Sequence, residues 1–135
     1  MRQFKIWLAS LICFSVLDFL CFTFVLGPFY RRELVEWARF NPDGSVHFSY
    51  LAGAVVYALM AAGFTAFVWP KIKNANFQST IFNSAFFGLV LYGVYDFTNL
   101  AFAKNWPPSF AAVDILWGIV ACALTGLIIK SIIKS

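Results

Sequence analysis

Charge is scarce in this sequence. Lys and Arg number 10 and Asp and Glu 6, so charged residues make up 12% of the 135, where soluble domains carry about 25%. Histidine is nearly missing, with His47 standing alone. The three cysteines, Cys13, Cys21 and Cys122, form no C-x-x-C pair and no Cys/His cluster. A structural zinc site takes about four such ligands, so it is excluded, and the cysteines read as small apolar packing residues. No basic stripe interleaved with aromatics occurs, which argues against nucleic acid as a partner. The net charge of +4 comes from Lys and Arg at the ends of apolar runs, where such residues face lipid headgroups. A D-D-x-x-D cluster, a nucleophile–base pair and a G-x-S-x-G elbow are also absent. No catalytic residue is therefore assigned, an enzyme is the less favoured class, and the residues name neither a cofactor nor a metal.

What the chain has in plenty is apolar surface. It is 61% hydrophobic and 20% aromatic, with 17 Phe. A small soluble domain keeps a large share of its surface in water and has nowhere to hide this excess. The sequence thus predicts an all-α membrane protein, one integral domain over residues 1–135 with lipid as its solvent. Four apolar runs are long enough to span, over about 5–27, 48–69, 77–103 and 109–130. They form an up-and-down four-transmembrane-helix bundle. The basic start Met1-Arg2-Gln3-Phe4-Lys5 resembles a signal peptide, but the run after it is too long and no small-x-small site follows, so the first span is expected to stay.

Between spans 1 and 2, residues 29–40 put Tyr30, Leu34, Trp37 and Ala38 on one helical face and Arg31, Arg32, Glu33, Glu36 and Arg39 on the other. This predicts a short amphipathic helix in the membrane interface. Asn41-Pro42-Asp43-Gly44 then reads as a turn. Small residues repeat at Ala54/Ala58/Ala62 and at Gly118/Cys122/Gly126, stripes that let helices approach closely in lipid. Arg2, Lys5, Lys71, Lys73, Lys130 and Lys134 gather on one side and Arg31, Arg32, Arg39 and Lys104 on the other. The excess favours the first side as cytoplasmic, so both termini are expected to face inward.

Three acids fall inside the spans. Asp18 lies ten residues before Pro28, Asp96 eleven before Pro107, and Asp114 six after Pro108. At helical rise these are depths of about 15, 16 and 9 Å, so all three belong to the same half of the bundle. An ionised Asp in mid-span costs about 2.5–3.5 kcal/mol, and no Lys or Arg lies mid-span to pair with them. Tyr92, Asp96 and Asn99 share a helical face, as do Asp114 and Trp117. The expectation is a polar pocket among helices 1, 3 and 4, opening outward and lined by Asp18, Asp96, Asp114, Tyr92, Tyr95, Asn99 and Trp117, with Lys104 and His47 at its mouth. The same residues also fit a hydrogen-bonded network that does no more than fix helix register.

The stretches Tyr95-Asp96-Phe97-Thr98-Asn99-Leu100-Ala101, Lys104-Asn105-Trp106-Pro107 and Val113-Asp114-Ile115-Leu116-Trp117-Gly118 resemble the predicted bacterial membrane proteins grouped as domain of unknown function 2177 (DUF2177). An Asp in the first span, here Asp18, fits the same resemblance. It implies a multi-span membrane fold and no established activity.

Three roles compete. The pocket takes a proton, a cation or a small amine, with or without transport, in which case so small a chain is expected to work as a homodimer through one of the small-residue stripes. Alternatively the chain is a structural or accessory subunit of a larger membrane complex. The third reading is a membrane enzyme acting on a lipid or prenyl-type substrate. Membrane lipids are partners in every case.

Overall fold

The computed structural model describes residues 1–133. Lys134, counted above among the basic residues of one side, lies outside them. Among the described residues the chain is helical with no strand, Phe40 and Val46 meeting only as an isolated bridge. The elements are α1 (Arg2–Phe24), α2 (Gly27–Glu33), α3 (Tyr50–Gly63), a π-helical turn (Phe64–Val68), α4 (Trp69–Ile72), α5 (Phe77–Phe102) and α6 (Pro108–Ile132). Four helical stretches are long and apolar enough to cross a membrane: α1, the continuous run Tyr50–Ile72, α5 and α6.

Local chemistry sets the ends. Ser49 caps α3 by accepting from the Ala52 N–H, and Asn76 caps α5 by accepting from the Ser79 N–H at 2.8 Å, each satisfying one of the orphan donors of a first turn. Pro28 and Pro108 sit in the first turns of α2 and α6, where a missing N–H costs nothing. Between α5 and α6, Asn105 turns the chain with φ of 65°, a left-handed conformation that Asn tolerates better than most residues. Pro70 does not end the second span. The π-helical turn just before it absorbs the hydrogen bond that proline cannot make, and the helix runs on to Ile72.

The segment expected to be helical over 29–40 is helical only from Gly27 to Glu33 and then breaks into turns. Pro28 starts it early. Beyond Glu33 the chain has to fold back, setting Trp37 edge-on against Trp106 and Phe40 beside Val46. The Asn41–Gly44 turn is closed by the Gly44 N–H donating to the Asn41 carbonyl at 2.9 Å, with Gly44 at φ of 80°.

Around the bundle, α3 packs on α1, α1 on α6, and α6 most extensively on α5. Glycines make the last contact close: the Gly88 Cα faces the Gly118 carbonyl, the Tyr92 ring lies over Gly118, and Ser84 fills the space beside Gly126. The stripe Gly118/Cys122/Gly126 is therefore buried within the chain. It is not the free dimer face the sequence suggested, because α5 already occupies it. The circuit does not close. The second span meets α5 at Gly63, Phe64 and below, where the Phe87 ring touches both, while α3 itself stands away from α5. An apolar core of Ile6, Phe14, Phe64, Val68, Trp69, Ile72, Cys122 and Ile129 fills the end that carries the termini. A second cluster of Trp106, Phe110 and Ala111, joined by Tyr30 and Leu34, closes the opposite end. The acids lie between the two.

Candidate functional site: an acid-floored cleft between spans 2 and 3

Each carboxyl accepts from a different part of the chain. Asp18, on α1, accepts from the Tyr57 hydroxyl of α3 and from the Trp117 indole N–H of α6, both at 2.7 Å. Asp114, on α6, accepts from the Tyr30 hydroxyl of α2. Asp96, on α5, accepts from the Trp106 indole N–H at 3.3 Å, with the Asp114 carboxyl as its neighbour. Asp96 Oδ2 has no donor among the described residues. All three side chains are nearly or fully buried, at 7%, 7% and 0% exposure for Asp18, Asp114 and Asp96.

Tyr30 sits outside the spans, under the aromatic roof formed by Phe22, Phe110 and Trp106. Burial, and next the negative Asp114 beside it, push its hydroxyl well above the ordinary tyrosine value, so it remains a donor to Asp114 at any physiological pH. Glu33, at the end of the same short helix, accepts from the Ser109 hydroxyl and from Arg32 Nε. Those two contacts hold its carboxyl below the usual glutamate value. Together they pin α2 across the start of α6.

A cavity of about 510 Å³ adjoins two of the three acids, a volume within the range of small-molecule sites, about 300–1,000 Å³. Asp18 and Asp114 form its floor. One wall is α3, through Ala52, Gly53, Val56, Tyr57 and Met60, with Phe48 and Ser49 at its end; the other is α5, through Leu91, Tyr92 and Tyr95. Since α3 and α5 stand apart there, the cavity is a cleft open along the side of the bundle. The expected outward mouth is different in the structure, because α2 and the Tyr30–Phe110–Trp106 aromatics cover that end.

The other residues singled out from sequence distribute as follows. Tyr92 and Tyr95 line the cleft. Trp117 holds Asp18 from the α6 side. Asp96 lies behind Asp114 and is no part of the lining. Asn99 spends its amide on the carbonyl of Tyr95, in its own helix, at 3.0 Å. Lys104 and His47 are exposed and line nothing. His47 is taken up by the turn, its Nδ1 2.9 Å from Asn41 Oδ1. The one ion pair among the described residues is Arg32–Glu33, so the intramembrane acids have no basic partner there. No group of three His, Cys, Asp or Glu among the described residues is arranged to hold a metal, the acid trio included.

Sequence reasoning missed three donors: Tyr30, Tyr57 and Trp106. It also missed α3 as a wall. Tyr57 is a single polar group within the alanine-rich second span, and Tyr30 reads as part of an apolar helix face. Only their pairing across 39 and 84 residues reveals a role.

Asp96 and Asp114 lie in the stretches that carry the family resemblance, and a family model described as "Predicted membrane protein (DUF2177)" matches residues 3–130. The chain belongs to this family. Comparison with curated proteins and with solved structures finds no match. Nearly the whole of this DUF2177 chain is covered, so Asp18, Asp96 and Asp114 all lie within the matched region.

Proposed function

We propose that this DUF2177 protein is a single membrane domain that binds a positively charged group in the cleft between α3 and α5, with Asp18 and Asp114 as its counter-ions. The observation that carries the reading is two nearly buried carboxyls flooring an apolar-walled cavity that no Lys, Arg or His lines. Charged groups inside a membrane are costly and are normally paired. Here the described residues offer the two carboxyls hydrogen-bond donors but no cation. Tyrosines 57, 92 and 95 add aromatic faces, which attract cations. Asp96, buried beside the Trp106 indole, is no part of the lining. The same reading sets the protein in a bacterial cytoplasmic membrane with both termini inside, supported by the excess of Lys and Arg at the terminal end. Any self-association uses the alanine stripe of α3, where Ala54 and Ala62 are exposed.

The test exploits Trp117, whose indole touches Asp18. Protein in phosphatidylcholine nanodiscs is titrated with n-butylammonium while tryptophan emission is followed. A saturable response is expected, lost in Asp18→Asn and in Asp114→Asn and kept in the surface control Asp43→Asn, with thermal unfolding checking that each variant is folded. A wild-type protein with no saturable response contradicts the reading. So does a response that survives in both folded variants, and the acids are then a clamp between helices and nothing more.

A further inference from the structure

We infer that the ligand is a single-chain membrane amphiphile with an ammonium head, which enters the cleft sideways from the lipid. The inference rests on the proposed role of Asp18 and Asp114 and adds the direction of entry and the class of molecule. Three observations support it.

The first is where the cleft opens. The second span and α5 meet at Gly63, Phe64 and Phe87 and separate from there toward the roofed end. The opening between them faces the side of the bundle. Its rims carry Val56 and Tyr95, 52% and 54% exposed, on helices of spanning length and composition, so these side chains border hydrocarbon. The headgroup end is closed by Tyr30, Phe110 and Trp106, packed edge to face.

The second is the order of polarity along the cleft. Val56, Met60 and Leu91 line it, and its only carboxyls are on the floor. A molecule filling such a space needs an apolar body and one polar end pointing inward. The third is charge complementarity. The floor is acidic and the lining contains no base, so the polar end has to be a cation or a strong donor, and an ammonium is both. An anionic or zwitterionic phospholipid brings a phosphate into contact with two carboxyls, which the same electrostatics disfavours.

The experiment uses dodecylamine with a diazirine on its chain, and dodecanol with the same diazirine as the uncharged match. Each is added to the full-length protein in phosphatidylcholine nanodiscs, irradiated, and the labelled peptides are mapped. The amine is expected to label the segments holding Val56 and Leu91 at least about tenfold above the alcohol, since a hydrogen bond to a charged group is worth a factor of about ten or more. Val56→Trp, which narrows the opening from its lipid side and leaves both acids in place, should reduce that labelling by a similar factor. Equal labelling by amine and alcohol overturns the inference, as does labelling spread over the outer faces of α1 and α6 or unaffected by Val56→Trp. The butylammonium titration separates this result from the parent reading. If butylammonium binds and the amphiphile does not reach the cleft, the counter-ion role stands and the lipid route falls; if neither binds, both fall.

Discussion

Asp18 and Asp114 hold their positions through hydroxyl and indole donors from distant parts of the chain, and the strength of those bonds decides how firmly the cleft is built. In water a neutral hydrogen bond nets about 0.5–1.5 kcal/mol. In membranes measured values average about 0.6 and reach about 1.7 kcal/mol. Tyr57→Phe and Tyr30→Phe each remove one donor while keeping the ring and its packing. Each is expected to lower stability by about 1 kcal/mol in denaturant titrations of the detergent-solubilised protein. In a double-mutant cycle, Tyr57→Phe should couple to Asp18→Asn and not to Asp114→Asn, and Tyr30→Phe the reverse. Additive effects within both hydrogen-bonded pairs would mean that the network does not form. These partners were illegible beforehand because a tyrosine in an apolar run has no periodicity of its own. Asp18, Asp96 and Asp114 were legible because an acid in a span is conspicuous on its own.

At the scale of elements, two contacts separate what is tightly packed from what is held at an edge. The α5–α6 pair is the tight one. A methyl group on Gly88 meets the backbone carbonyl of Gly118, and backbone cannot swing aside as a long side chain can. Gly88→Ala should therefore cost about 1–3 kcal/mol, the usual penalty of overpacking, whereas Ala54→Gly on the exposed stripe should fall within about 0.5–1 kcal/mol. Equal effects would show that the α5–α6 contact is looser than described. The edge contact is α2, whose Glu33 accepts from Ser109 and Arg32. Its carboxyl is held below the ordinary value. The attachment is thus fully present above the unfolded value, about 4.3, and is lost as pH falls through the lowered one. Limited proteolysis between α1 and α3 should speed up below about pH 4, and Glu33→Gln should be fast at all pH. Cleavage of the wild type that ignores pH would contradict this.

Element type was easy to read from sequence and element boundaries were less so. Four apolar runs specify four spanning helices whatever packs against them. The second span overran Pro70 because a π-helical turn absorbs the proline, and no residue pattern announces such a turn. The amphipathic stretch after Pro28 became a seven-residue helix followed by turns, because tertiary contacts of Trp37 and Phe40 outweigh its helical spacing. Depth along the helices, counted from the prolines, located the three acids in one half of the bundle. It said nothing of rotation about each helix axis, which is why Asp96 turned out to lie behind Asp114 and α3 supplied an unforeseen wall.

For the whole molecule, the account depends on a bundle left open along one side, with two carboxyls reachable from lipid and a third shielded. Dicyclohexylcarbodiimide, applied at acidic pH with no amine present, tests this most directly, since it is apolar, partitions into the bilayer and adds covalently to protonated carboxyls it can reach. The protein in nanodiscs is treated with it and the modified residues are identified by peptide mass. The account predicts modification at Asp18 or Asp114, slowed by Val56→Trp, with Asp96 spared under Trp106. Modification of Asp96 ahead of the other two, or none of the three while exposed Glu36 reacts, would contradict it.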